Sequence, residues 1–369
     1  MLKKNLFLFV LLTIALVSCN KEDEPTEQPD PNSPTTLSPV KVELDSLPYA
    51  TLAEYNFFVG EDISQLEPNN GLLLYEPITQ LFTDYAKKSR YVWMPEGASA
   101  NYVSDFESFN FPEGTVLIKN FFYEKVLPSN DRRVIETRIM FKRDGVWEFA
   151  DYIWNDEQTE AVFSLDGENK PIEVVLESGE TISIDYEIPA RSSCVTCHKN
   201  FEIPTPNGPK PQNLNNDLQY QEGIMNQLMK WAEMGYLSPD YPAEIESMVD
   251  WEDDSESLQD RVRAYLDANC GHCHGDGAHC SYRSIRLTFE ENDKDKNLGI
   301  CVPYDEFIPG QNDLEYILTA GDADRSMLVY RMLSNDVSVQ MPLIGKSIIH
   351  KEGVELMTEY INSLPEICP

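Results

Sequence analysis

Two pentapeptides of this chain carry residues that can do chemistry. One is Cys194-Val195-Thr196-Cys197-His198 and the other is Cys270-Gly271-His272-Cys273-His274. In each, two thiols stand three positions apart and an imidazole follows at once. That is the spacing of covalent c-type haem attachment. Two thiols add across the two vinyl groups of the ring and become thioethers. One turn of backbone reaches both vinyls, and the next His supplies a nitrogen to iron. Other chemistries fit less well. A thioredoxin-like Cys-x-x-Cys needs no His and follows a strand of a βαβ unit. A zinc site would leave four thiolates in an oxidising medium if the chain is exported. A disulfide across two residues is strained. The expected cofactors are therefore two covalently bound haems, anchored at Cys194, Cys197, Cys270 and Cys273, with His198 and His274 on iron.

The elements that must hold these turns differ between the two. Leu258 to Asn269 places Leu258, Val262, Tyr265, Leu266 and Asn269 on one stripe of period 3.6, which predicts a helix running into Cys270. Met341-Pro342 follows His274 by 67 positions, and a second amphipathic stripe, Val354, Met357, Ile361 and Leu364, predicts a helix from Lys351 to Leu364. This order of helix, Cys-x-x-Cys-His, Met-Pro loop and closing helix resembles class I cytochrome c. Gly321 to Met332 likewise resembles the helix before the Met loop in such domains. The resemblance implies His274 and Met341 as the axial pair, with the two helices packed across each other. A thioether ligand favours Fe(II) and raises the potential relative to a second His. The other reading of Met341 is a core side chain.

The first turn has less context. Cys194 and Cys270 are only 76 positions apart. The candidates for its sixth ligand are Met225, Met229, Met234 and Met248. Gln221 to Trp231 reads as a helix, and Met229 ranks first among the four. A vacant or water-bound position stays open. His272 occupies an x position and is expected to face solvent.

Residues 41–190 read as an antiparallel β-rich domain. Gly114–Tyr123 is rich in β-branched and aromatic residues. Arg133–Phe141 alternates, with Val134, Glu136, Arg138 and Met140 on one face. Arg143-Asp144-Gly145 then turns into Val146–Trp154, a hairpin signal. Ile172–Leu176 and Thr181–Tyr186 flank Ser178-Gly179 as a second hairpin. Trp93, Trp147 and Trp154 read as core or as the wall of a cleft. The expected fold class is α+β: this β domain, a first haem-binding region over 191–252, and a mainly α, cytochrome c-like domain over 253–369.

The N-terminus predicts export. Lys3 and Lys4 precede an apolar run from Leu6 to Val17, too short to span a bilayer as a mature helix. Residues 1–18 read as a signal peptide. Leu16-Val17-Ser18-Cys19 resembles a bacterial lipobox, which implies a lipidated Cys19 and a membrane anchor. Residues 19–40, rich in Pro and acidic residues, read as a tether. Asn20-Lys21-Glu22-Asp23-Glu24 resembles an acidic surface-export signal. The expected location is the outer membrane, at its periplasmic face or at the cell surface.

Charge narrows the partners. With 29 Lys+Arg against 63 Asp+Glu, the formal net charge is −34. That argues against nucleic acid, which requires a basic patch, and favours basic redox proteins. No Ser-His-Asp order, Walker loop or Gly-x-Gly-x-x-Gly occurs. Cys280, Cys301 and Cys368 remain, an odd number that leaves one free or paired between chains; Cys280 with Cys301 is the expected disulfide because the two bracket a polar insertion, with Cys368 as a competing partner.

Several phrases together resemble a family of bacterial diheme c-type cytochromes. They are Glu54-Tyr55-Asn56-Phe57-Phe58, Leu81 to Lys88, Gly114 to Lys119, Ile135 to Arg138, Tyr152 to Asn155 and both haem turns. The resemblance covers about residues 50 to 365 and implies a diheme electron carrier. Two alternatives remain: a diheme oxidase or peroxidase with an open iron at the first haem, and a ligand-binding β domain coupled to the haems.

Overall fold

A long β meander comes from alternation broken by well-placed turns. In the computed structural model, which describes residues 38–304, 308–311 and 313–369, an antiparallel sheet runs in the order β1 (Leu73–Leu74), β2 (Lys87–Trp93), β3 (Val116–Val126), β4 (Asp131–Arg143), β5 (Val146–Trp154) and β6 (Ala161–Ser164). Asp144 and Gly145 both take positive φ, 52° and 75°, as a two-residue hairpin turn requires. The Glu113 carboxylate accepts both of their backbone N–H groups. The second hairpin, β7 (Glu168–Val175) and β8 (Thr181–Ile188), joins the sheet where Val174 meets Val126.

The sheet has two differently used faces. Tyr91, Val116, Ile118, Ile139, Phe141, Ala150 and Tyr152 bury against the N-terminal segment through Leu52, Tyr55, Phe57 and Leu66. The Tyr55 and Tyr152 hydroxyls meet at 2.8 Å inside this core. The other face presents Val92, Leu117, Met140 and Phe149 to Leu214, Leu228 and Trp231. One expectation on β4 changes. The register shifts at Phe121–Phe122, and Val134 packs with the first face, apart from Met140. Trp93, Trp147 and Trp154 are all core residues.

After residue 190 the elements are short. They are α1 (Cys194–Cys197), β9 (Lys199–Asn200), β10 (Ile203–Pro204), α2 (Pro211–Leu214), β11 (Asp217–Tyr220), β12 (Gly223–Asn226), α3 (Gln227–Glu233), α4 (Leu258–Leu266), α5 (Asp295–Leu298), α6 (Met327–Met332) and α7 (Lys351–Ser363). The class is α+β, and this half is built of loops and single turns more than of helices. The helix expected over 221–231 starts only at Gln227. Gly223, at φ 131°, closes a hairpin first, and the Asn226 side chain caps the N–H groups of Leu228 and Met229. Of Gly321 to Met332, only the last six residues are helical.

Residues 38–369 form one compact unit. The reason is interleaving. The stretch between β1 and β2 reaches both later regions: Asn213 bonds to the Thr79 backbone, Asn269 Oδ1 accepts Phe82 N–H at 2.8 Å, and the Asp84 carboxylate accepts the N–H groups of Ser347 and Ile348. α4 and α7 pack together through Val262, Tyr265, Leu266, Val354, Met357 and Ile361.

The disulfide differs from expectation. Cys301 pairs with Cys368, with Cα atoms 5.1 Å apart, and Cys280 is a buried free thiol. α7 returns the chain end to the 301 loop. Cys280 instead lies against the second turn, where its N–H donates to Cys273 O at 2.9 Å. The signal peptide, Cys19 and all but the end of the tether lie outside the described residues. Among those described, no helix is long and apolar enough to cross a membrane.

Candidate functional site

Both Cys-x-x-Cys-His segments fold as the same single turn. His198 N–H donates to Cys194 O at 2.9 Å, and His274 N–H donates to Cys270 O at 2.9 Å. The first turn is α1 itself, fed by a 3-10 turn over Arg191–Ser193. The second continues α4 through a π-helical turn, Asp267–Gly271. A Cβ at position 271 would come within 3.0 Å of Leu287 O, so the close pass of the 287 strand of chain favours Gly there. Asp267, buried beside this turn, is paired with Lys210 at 3.2 Å.

The two turns meet. The sulfurs of Cys197 and Cys273 and a ring nitrogen of His272 all lie within 4.8 Å of one another. His272 therefore turns inward, contrary to its expected solvent position. Cys273 Sγ also reaches Thr196 O at 3.6 Å. The thiol hydrogen bond from Cys273, then His272, holds the Cys197 thiol well below its usual range, and the same contact holds Cys273 up. Cys194 and Cys270 are pushed up to about 12, chiefly by burial.

One cavity runs over the second turn. Its wall includes Cys270, Cys273, His274, Met341, His350 and Cys280, and Thr196 and Cys197 of the first turn reach it as well. His274 and Met341 thus share one cavity. Buried His274 Nδ1 has no partner among the described residues, an arrangement that costs about 1–3 kcal/mol if nothing fills it. The free space is only 70 Å³. That is below the several hundred Å³ usual for a cofactor pocket.

The imidazoles are prepared as neutral donors. Burial holds His198 and His274 down at about 4. His198 Nδ1 sits 3.1 Å from Thr205 O, which can only accept, so Nδ1 carries the proton and Nε2 keeps its lone pair. Phe149 of β5 lies 5.5 Å from the His198 ring. His350, half-buried on the same cavity wall, stacks on Phe82 at 4.0 Å and bonds to the Tyr265 hydroxyl at 3.0 Å. Sequence reading left it without a role. Its signal was weak, because a lone His ahead of a helix has no partner nearby in sequence.

The methionines near the first turn sort differently from their ranking. Met229 is 59% exposed on α3, whose buried side is Leu228 and Trp231, and is no longer the leading ligand candidate. Met225 and Met234 border the same apolar cluster as Cys194. Met248 is core with Trp251 and Val262. A separate open groove of 1130 Å³ lies between β5–β6 and β7–β8, lined by residues such as Ile153, Asn155, Lys170 and Asp185. No family model, curated protein or solved structure matches this chain.

Proposed function

We propose that this chain is an exported, lipid-anchored electron carrier that holds two c-type haems, one on each Cys-x-x-Cys-His turn. The observation that carries the reading is the meeting of the two turns: segments 76 positions apart in sequence bring Cys197 and Cys273 together. Haem iron, when bound, supplies one-electron chemistry. The chain's part is to hold and tune it. Cys194, Cys197, Cys270 and Cys273 are the anchors. His198 offers Nε2 while Thr205 fixes its tautomer. His274 and Met341, which line one cavity, are the residues that would hold the second iron. The donor set fits the group, since each turn offers two sulfurs and a neutral imidazole and the second cavity adds a thioether. The acidic exterior favours basic redox partners. With Met229 at the surface, an open first iron, and hence an oxidase or peroxidase activity, stays the enzymatic alternative.

A second reading rests on the same contact. Cys197, Cys273 and His272 as free side chains would make a three-coordinate thiolate–imidazole centre for a soft metal such as zinc or Cu(I). The two readings exclude each other, because thioether formation consumes both thiolates.

The test is circular dichroism in the Soret band of the matured chain. Two rings held side by side give a paired positive and negative band. Removing the first anchor pair, Cys194→Ala with Cys197→Ala, should collapse it to a single band. A single band in the wild type, with both haems attached, contradicts the placement of the rings on adjoining turns.

A further inference from the structure

One strip of the second sheet face is charged. Register sets Arg90 opposite Lys119, Lys119 opposite Arg138, and Arg138 opposite Asp151. Lys88 and Glu136 stand one step along the same face. Like charges directly opposite in a sheet destabilise it, and this strip has four cations against two carboxylates in a chain whose net charge is −34.

The carboxylates do not settle the row. Glu136 is committed, accepting two bonds from Arg138 at 2.7 and 2.8 Å and one from the Tyr186 hydroxyl. Asp151 Oδ2 is buried with no hydrogen-bond partner among the described residues. Lys88 is left with the Leu81 carbonyl and Arg90 with the Gln80 side chain, each at 3.0 Å. Lys119 has no oxygen partner among the described residues, only the Phe121 ring at 4.7 Å. Holding such a group half-buried without an anion is costly. Arg138 keeps 27% of its side-chain surface exposed, so the row reaches solvent at that end.

The row lies beside the first turn. The neighbouring row on the face is Val92, Leu117, Met140 and Phe149, against which Cys194 packs. Phe149 in turn touches His198. Lys119 acts electrostatically on His198, and Arg138 and Asp151 act on Cys194.

We propose that Lys88, Arg90, Lys119 and Arg138 form an oxyanion site that opens on the first Cys-x-x-Cys-His turn. Its ligand is a carboxylate or a small oxyanion of like geometry, which Arg and Lys bind by charge-assisted hydrogen bonds. Two sources present that chemistry. One is the pair of acid side chains on a haem carried by Cys194 and Cys197, a source that rests on the function proposed above. The other is a free oxyanion entering beside the turn.

The experiment compares the full mature chain with Lys119→Met, which keeps the stem and removes the charge, and with Lys119→Arg. Lys88→Met stands in if Lys119→Met does not fold. Each is titrated with sulfite by calorimetry, and both reduction potentials are measured without it. If the haem acids occupy the row, sulfite gives no heat with the wild type. Lys119→Met then lowers one potential, leaves the other in place, and Lys119→Arg restores it. If a free oxyanion is the ligand, the wild type binds sulfite and Lys119→Met weakens binding at least tenfold. No sulfite binding together with unchanged potentials in Lys119→Met overturns the site. Intact mass reports haem attachment separately. A chain with no haem at Cys194 and Cys197 refutes the function reading, and sulfite binding to that chain still decides the row.

Discussion

At the scale of single residues, burial does most of the chemical preparation. His350 shows the effect outside the anchoring turns. Its side chain is 12% exposed, stacked on Phe82, bonded to Tyr265 and 3.7 Å from Glu352. Burial pushes its imidazole from 6.5 down to about 4 despite the Glu352 carboxylate. The unfolded chain therefore binds more protons between those two values. Stability from this residue is complete above about pH 6.5 and is lost as pH falls toward about 4. Replacing His350 with Phe, which preserves the stacking, should flatten that part of the stability–pH curve in urea unfolding. An unchanged slope would show that His350 does not cause it. Gly353 is the neighbouring constraint. A Cβ there runs into the Tyr265 hydroxyl and comes within 2.8 Å of His350 Nδ1. Gly353→Ala should thus destabilise by about 1–3 kcal/mol although Ala normally gains about 1 kcal/mol in a helix. Chemical denaturation gives the sign directly.

At the scale of elements, what was legible followed local rules. The β4–β5 hairpin could be read because Asp144-Gly145 fits only a few turn types, and the β7–β8 hairpin for a similar reason. α4 and α7 were visible as 3.6-period stripes because each buries a single face. Residues 221–226 read as helix because Met225, Met229 and Trp231 fall at helical spacing, while Gly223 and the Asn226 cap decide the local backbone. Between Cys280 and Cys368 as partners the sequence does not decide, since the choice depends on where α7 delivers the chain end. That disulfide closes a separation of 67 residues, and a loop of this kind is worth about 2–4 kcal/mol. Cys368→Ser should lower stability by that amount in thermal or denaturant unfolding. A loss near zero would mean that the α4–α7 interface holds the C-terminus unaided.

At the scale of the whole molecule, the sheet is a two-sided platform. The N-terminal segment covers one face, and the Cys/His half lies on the other. The meeting of the two Cys-x-x-Cys-His turns was invisible in sequence, because it arises from the β1–β2 stretch bonding to Asn213 and Asn269 at once. Each motif is local, five consecutive residues that fold as one turn with a His N–H to Cys O bond of 2.9 Å. Net charge acts at this scale too. At −34, encounter with a basic redox protein should be fast at low ionic strength and slow severalfold as salt rises past physiological levels. Stopped-flow oxidation by a small basic protein measures this, and a salt-independent rate would remove charge steering from the account.

The central claim is that each turn carries one haem, and the most direct measurement is haem stoichiometry. The mature chain, made with c-type maturation machinery, is weighed intact and assayed as the pyridine haemochrome. The same is done for Cys194→Ala with Cys197→Ala and for Cys270→Ala with Cys273→Ala. The account predicts two haems in the wild type and one in each variant. No covalent haem, with a stoichiometric soft metal lost when Cys197 or Cys273 is replaced, would contradict it and favour the thiolate–imidazole centre instead.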